Sequence, residues 1–183
     1  MHTAFSQSLG SFPTTVSRID AVVDRAMDRV RGPELDRVFY PLSSVCDHSM
    51  LWHVIGTFRA FSRKDARWST RFATAMGIES FVTNVVVKSV FGRHRPHRPT
   101  NTPLPYGVRI PITSSFPSGH ATAAFCAATI LGPGSRTPAF WYGLAAAVAT
   151  SRVYVRFHHA SDVVAGAAIG ATLGIALRRT LRL

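Results

Sequence analysis

Residues 151–162 read SRVYVRFHHASD and lead into an apolar, small-residue run with the character of a helix. His158 and Asp162 stand four apart at the start of that run, a spacing that puts an imidazole and a carboxylate on one helical face, one turn apart. A carboxylate that accepts one ring N–H fixes the tautomer and leaves the other nitrogen free to attack an electrophile. Arg152 lies just upstream, where it can hold an anion. Asp162 is also the only acidic side chain after Glu79. A lone acid in so basic and apolar a half is expected to serve a specific partner rather than to decorate the surface.

The rest of the chain fits around that stretch. At 183 residues with a net charge of +12, the protein is long enough for a sizeable core and is expected to meet anionic partners such as phosphate esters or acidic lipid. Cys46 and Cys126 form no CxxC pair and read as small hydrophobes. The opening MHTAFSQSLGSF has neither the basic nor the apolar region of a signal peptide. No apolar run is long enough to make a spanning helix obvious, yet several approach that length and are rich in Gly, Ala, Ser and Thr, which suits close helix packing in a bilayer.

In order, residues 1–38 form an amphipathic helical segment in which Ile19, Val22, Val23, Ala26, Met27 and Val30 recur at helical spacing. The simplest reading is a surface helix packed on the bundle through that apolar stripe, and the rival is a helix lying in the membrane interface. Gly32-Pro33 breaks it. Residues 39–183 make the main helical domain. Helices are expected over Pro41–Phe61, Arg71–Phe91, Gly119–Leu131, Ala139–Val155 and Asp162–Leu177. Asp47-His48, inside the first of these, reads as a satisfied helix-start pair rather than a site element. Between Phe91 and Gly119 lies a long basic connector rich in Pro and Gly, which cannot be regular helix. The fold class is therefore all-α: an antiparallel bundle of about five core helices plus the N-terminal helix, expected to be integral to a membrane.

Three clusters fall at helix ends that alternating directions bring to one end of such a bundle. The first holds Lys88 and Arg95, the second Ser118, Gly119 and His120, and the third Arg152, His158 and Asp162. Lys88, Arg95 and Arg152 suit non-bridging phosphate oxygens. Ser118 and the Gly119 amide sit at a helix N-terminus, a ready anion site, and glycine lets the backbone approach the anion closely. His158 is placed to attack phosphorus and His120 to protonate the leaving oxygen. Fixed cations then do what Mg²⁺ does elsewhere, so no metal and no cofactor are expected.

Lys88-x6-Arg95-Pro96, Pro117-Ser118-Gly119-His120 and Ser151-Arg152-x5-His158-x3-Asp162 together resemble the three signature motifs of the type 2 phosphatidic acid phosphatase (PAP2) superfamily. The resemblance covers residues 71–177 directly. It implies a metal-independent helical phosphatase with His158 as nucleophile, Asp162 as its partner and His120 as general acid. Lys88, Arg95, Ser118, Gly119 and Arg152 would be the phosphate ligands. Residues Ser43–Trp52 also look like the first spanning helix of actinobacterial members. Six spans are usual in membrane members, against about five here.

The leading functional expectation is a membrane phosphatase for a lipid phosphate or diphosphate, working through a phosphohistidine. A soluble phosphomonoesterase, a vanadate haloperoxidase and a non-catalytic binder of anionic lipid or nucleic acid rank below it. The last would need a diffuse basic face, whereas the cations here cluster with His, Ser and Asp; no nucleic-acid partner is expected. Headgroup choice is assigned by position to residues 97–116, with Arg98, Tyr106 and Arg109 as candidate contacts. Eight basic residues away from the site (Arg63, Lys64, Arg67, Arg71, Arg136, Arg178, Arg179 and Arg182) outnumber four left over near it (Arg93, Arg98, Arg109 and Arg156). By the positive-inside rule this puts the protein in the cell (inner) membrane as a multi-pass enzyme with its site on the extracytoplasmic side. Nothing in the sequence speaks to oligomeric state.

Overall fold

The computed structural model describes residues 13–97, 104–105 and 113–183. Seven helices and no strand occur among them: α1 (Thr14–Val30), α2 (Pro33–Val45), α3 (Met50–Arg63), α4 (Ala66–Phe81), α5 (Gly119–Leu131), α6 (Pro138–Tyr154) and α7 (Ala160–Thr180). Local chemistry sets most of the boundaries. Pro33 and Pro138 stand in the first turns of α2 and α6, where a missing N–H costs nothing. Asp65 caps α4 by accepting from the Trp68 amide at 3.0 Å. α3 ends on Lys64 in the left-handed conformation. Past Phe81 the chain of α4 continues as a π-helical stretch, Val82–Val87, and one last turn, Lys88–Val90, before Phe91 extends.

α5 is the axis of the bundle, with ten of its thirteen residues buried and apolar or small on all sides. α7 lies against it along Gly166, Gly170 and Gly174, one small residue per turn. A Cβ on Gly170 would stand 2.1 Å from the Thr122 carbonyl oxygen, so only glycine allows this approach. The tight register carries straight to the site: the Ser118 amide, capping α5, donates to the Asp162 carbonyl at 3.0 Å. Trp52, Phe72, Met76, Cys126, Leu131 and Val148 fill the space between α5 and the surrounding helices. Both cysteines are buried and free.

Two expectations about helices are corrected. Pro41–Phe61 is not one helix. It breaks at Cys46, runs through a short 3₁₀ turn over Asp47–Ser49, and restarts after Ser49 at φ 60°. That break turns Asp47 toward the bundle interior. The segment up to residue 38 likewise comprises α1 and part of α2, and α2 runs on through residue 38 to Val45.

The N-terminal helix packs by a face rotated from the one expected: of the apolar stripe only Val23 and Met27 are half-buried. Its inward row is acidic: Asp20, which is buried, then Asp24 and Asp28 at four-residue intervals. Ile19, Val22 and Val30 are exposed instead. α1 follows the connection between α7 and α6 backwards. Asp20 meets Ser161, Asp24 meets His159, Asp28 meets Arg156, and Arg31 meets the Tyr154 carbonyl.

Ala160–Thr180 is long and apolar enough to cross a membrane by length and composition, and α5 is a shorter apolar helix. Large apolar side chains stand exposed around the bundle, including Val54, Phe58 and Phe61 on α3, Phe81, Val85 and Val86 along the α4 run, Phe140 on α6 and Val164 on α7. An outward-facing apolar coat of this extent is the pattern of a surface that water does not bathe.

Candidate active site

The polar residues converge where α4, α5, α6 and α7 share one end. Lys88, in the last turn of the α4 run, reaches the Thr113 hydroxyl at 3.5 Å. Its ammonium lies over the start of α5, 3.7 Å from where a Cβ on Gly119 would stand, and the tighter neighbour there is the Asn84 Oδ1 at 3.2 Å. After Phe91 the extended stretch 91–97 and the segment 113–118 hold each other: the Ser115 amide donates to the Arg93 carbonyl at 3.0 Å and the Ser115 hydroxyl to the His94 carbonyl at 3.0 Å. A cavity of about 470 Å³ opens beside Lys88, Arg95 and Thr113.

Arg95 is anchored by one nitrogen to the Phe157 carbonyl at 2.6 Å and by the other to the Thr113 carbonyl at 3.1 Å. Its Nη1 lies 3.4 Å from His158 Nε2. Arg152 is fully buried, donates to the Ser43 hydroxyl, and lies over the Phe157 ring at 4.7 Å. Its carbonyl accepts from the amides of Phe157 and His158 at 3.0 and 3.2 Å, which fixes the connection that carries the imidazole. Arg95 and Arg152 each keep a buried Nε–H without a protein partner among the described residues. Buried guanidinium donors left over in this way are the groups an oxyanion would satisfy. Ser118 caps α5 through its Oγ, 3.4 Å from the Ala121 amide, and leaves the first amides of that helix facing the same end.

His158 is buried. Its Nδ1 lies 2.6 Å from the Ser115 carbonyl oxygen, so Nδ1 carries the proton and Nε2 is the bare nitrogen, directed toward Arg95. The expected acceptor, Asp162, stands close but outside hydrogen-bond range: Oδ2 is 3.8 Å from Nδ1. The reason lies in where the helix begins. α7 starts at Ala160, so His158 belongs to the preceding connection and the one-turn geometry of a helix does not apply to it. The Asp162 oxygens are taken by Arg93 and by the His159 amide at 2.8 Å, the latter closing the first turn of α7. Burial, reinforced by Arg152 and Arg95 and opposed by Asp162, pushes the His158 imidazole down to about 3. At neutral pH the ring is uncharged and its Nε2 lone pair is available.

Seven of the eight residues singled out in the sequence are joined by these contacts. His120 is placed differently. It follows Gly119 in the same turn, and its Nε2 is held by Asp47 Oδ1 at 3.0 Å. Asp47 is therefore a site residue, not the self-contained helix-start group expected. Arg93, counted among the uncommitted charges, is buried with Nη1 on Asp162 and on the Ser161 hydroxyl (2.7 Å) and Nη2 on Asp20 at 2.6 Å. Arg156 is likewise taken up, by Asp28 and the His97 carbonyl. Arg98, Tyr106 and Arg109 lie outside the described residues.

Comparison with known proteins gives a consistent picture. The PAP2 superfamily description matches residues 68–182. The chain is similar to decaprenylphosphoryl-5-phosphoribose phosphatase of Mycobacterium tuberculosis, with 31% identity over 133 residues and 73% of each protein covered. A shorter similarity, 43% over 68 residues, links it to lipid A 1-phosphatase of Porphyromonas gingivalis, covering 33% of this chain and 15% of that protein. Among solved structures, the transmembrane phosphatidylglycerolphosphate phosphatase of Bacillus subtilis superposes with a TM-score of 0.73 at 24% identity, over 92% of this chain and 87% of that one. LpxE of Aquifex aeolicus superposes with a TM-score of 0.71 at 25% identity, over 88% and 95%.

Proposed function

The chain belongs to the PAP2 superfamily, and from that premise we propose that it is a membrane phosphatase that removes phosphate from a lipid phosphate or diphosphate through a phosphohistidine. The observation that carries this reading is the bare, neutral Nε2 of His158 beside the guanidinium of Arg95, in a cluster where Arg95 and Arg152 retain buried donors. His158 Nε2 attacks phosphorus, a P–N bond forms, and the bond to the lipid oxygen breaks. His120 gives that oxygen its proton and the alcohol leaves. Water then attacks the phosphohistidine as His120 takes a proton from it, the P–N bond breaks, and inorganic phosphate departs with both histidines restored.

Lys88, Arg95 and Arg152, with the amides at the start of α5 behind Ser118 and Gly119, hold the three non-bridging oxygens and oppose the charge that builds in the transition state. The Ser115 carbonyl sets the tautomer of His158. Asp162 balances the charge the ring gains as it is phosphorylated, at a distance of 3.8 Å rather than through a direct bond. Asp47 holds the His120 ring by Nε2 and so leaves Nδ1 for the proton transfer.

The relatives named above act on lipid phosphates, which favours a substrate of that class for this chain. The exposed apolar coat around α3, α4, α6 and α7 supports a multi-pass placement in the cell membrane. We place the site on the extracytoplasmic side from the excess of basic residues at the far end. α1 adds Arg18, Arg25 and Arg29 near the site end, so labelling and not arithmetic weighs the orientation. With Cys46 and Cys126 replaced, an impermeant maleimide on intact cells is expected to label His97→Cys and to spare Ser135→Cys; the opposite pattern reverses the orientation.

Turnover is tested by phosphate release from a panel of lipid phosphates. His158→Ala is expected to lose essentially all activity while still binding substrate, and retention of a tenth of it would refute the nucleophile. EDTA should leave the rate unchanged and orthovanadate should compete with substrate. Collapse in EDTA with recovery on adding Mg²⁺ would overturn the fixed-cation mechanism.

A further inference from the structure

α1 has three faces, and only one of them is used by the bundle. Asp20 is buried on Arg93 and Ser161, Asp28 at the rim meets Arg156, and Asp24 between them lies 3.6 Å from His159 without a hydrogen bond. Ile19, Val22, Ala26 and Val30 form an exposed strip, with Ile19 and Val22 each 57% exposed. Arg18, Arg25 and Arg29 form a third row at the flank of that strip, all exposed. A helix that docks on its own protein partly through carboxylates, with Val23 and Met27 half-buried beside them, and leaves Ile19, Val22 and Val30 outward departs from the usual arrangement of a soluble surface helix. Its outward composition, an apolar strip edged by arginines with no acid between them, is that of a helix lying in an anionic lipid interface.

The position of α1 agrees. It tracks the connection between α6 and α7 across the site end of the bundle, from Ser161 back to Tyr154, rather than running along the bundle's flank. If α6 and α7 cross a bilayer, as proposed above, that end lies at headgroup depth.

We propose that α1 is an interfacial helix whose Ile19–Val22–Ala26–Val30 strip enters the edge of an anionic bilayer while Arg18, Arg25 and Arg29 take lipid phosphates. The acidic row then fastens this lipid-bound helix to the active-site connection. Asp20 is buried and shares Arg93 with Asp162, so the attachment ends one residue from the proposed catalytic pair. The inference rests on the membrane reading above, but not on turnover.

Nitroxide labels test it in the absence of activity. In a background with Cys46 and Cys126 replaced, Val22→Cys and Ser17→Cys are labelled and the protein is reconstituted into vesicles of phosphatidylcholine with phosphatidylglycerol. The Val22 label is expected to be relaxed by oxygen more than by a water-soluble nickel chelate, at a depth of about 5–10 Å below the phosphates. The Ser17 label, on the opposite side of the helix, should show the reverse. Equal exposure of both labels to nickel would put the strip in water and overturn the proposal. A Val22 label shielded from both reagents would mean that protein, such as a second copy, covers the strip, and would overturn it too. In vesicles of phosphatidylcholine alone the Val22 label should rise toward water, and the triple variant R18Q/R25Q/R29Q should show that shallower depth in both lipids. An unchanged depth in neutral lipid would remove the role of the arginines. An inactive protein with Val22 in lipid would count against the phosphatase reading and leave this one standing.

Discussion

The α5–α7 contact and the α1 contact hold the same active-site end by opposite means. α7 meets α5 backbone to backbone along Gly166, Gly170 and Gly174, where a Cβ would come within 2.6, 2.1 and 2.7 Å of its neighbours. α1 meets the same end through carboxylates, with Asp20, Asp24 and Asp28 each set on a cationic partner or a histidine. Close packing of small residues has almost no tolerance, because any added volume must push two helices apart. Ionic contacts tolerate displacement but leave a buried charge exposed to its own desolvation cost when a partner is lost. One contact therefore sets where the helices are, and the other sets how the site's charges are balanced.

The most damaging change should be at the first contact. Gly170→Val drives a branched side chain into the Thr122 backbone and is expected to cost more than about 3 kcal/mol. Detergent-purified variant should be largely aggregated or melt far below the parent, and a near-parental melting temperature would show that α7 can shift and that the glycine register does not set the site. Next comes the ionic contact. Asp20→Ala removes one of the two carboxylates on Arg93, which keeps Asp162, and leaves the Ser161 amide without its acceptor; it is expected to destabilise by about 1–3 kcal/mol. Asp20→Asn, which keeps the shape and one acceptor oxygen but loses the charge and the second acceptor, should retain the fold and lower kcat more than it raises KM. Equal losses in both variants, confined to stability, would reduce Asp20 to a structural clamp.

Asp47 sharpens the comparison, since it is a half-exposed polar contact whose nearest buried cation, Arg152, keeps its own hydrogen bond to Ser43 when the carboxylate is neutralised. Asp47→Asn is expected to leave the melting temperature within about a degree or two of the parent while lowering kcat by about ten- to a hundredfold, within the range that general acid catalysis contributes. The loss should be greatest for substrates with poor leaving groups.

The narrowest readout, a slope with pH and not a loss at one pH, concerns His158. Its folded-state value, about 3, lies below the ordinary 6.5, so below pH 6.5 the unfolded chain binds a proton that the folded one refuses. Stability contributed by the neutral ring is complete above 6.5 and is lost as pH falls toward 3. Melting temperatures between about pH 4 and pH 7 should decline less steeply in His158→Gln than in the parent, and an unchanged slope would argue that the ring is not buried neutral.

Much of the site was legible because its motifs sit at helix termini, where sequence carries local signals. Ser118 reads as a cap, Gly119 as a close approach, and Lys88 as the last turn of a helix, and each does what those signals say. His120, Arg152, His158 and Asp162 were found the same way. The acceptor for His158 was not legible: a main-chain carbonyl, that of Ser115, has no side-chain signature, and the adjacent Asp162 was the obvious substitute. Asp47 and Asp20 were hidden by distance along the chain. Each pairs with a residue 73 positions away, and both sit in helices or turns whose local sequence reads as ordinary surface.

The sequence by itself therefore determined the all-helical class, most of the helices with the caps at their ends, the small-residue composition that suits close helix packing, and the chemical inventory of a phosphoryl-transfer site. These are properties of a few consecutive residues, and backbone sterics and hydrogen bonding enforce them locally. Only the tertiary structure decided which acid serves which cation, that the helix after Pro41 breaks to bring Asp47 to His120, and that α1 buries Asp20 while Ile19, Val22 and Val30 face outward. Those choices depend on which charges remain unpaired once α5, α6 and α7 are in place, and a buried Arg93 will take a carboxylate from any part of the chain that can reach it.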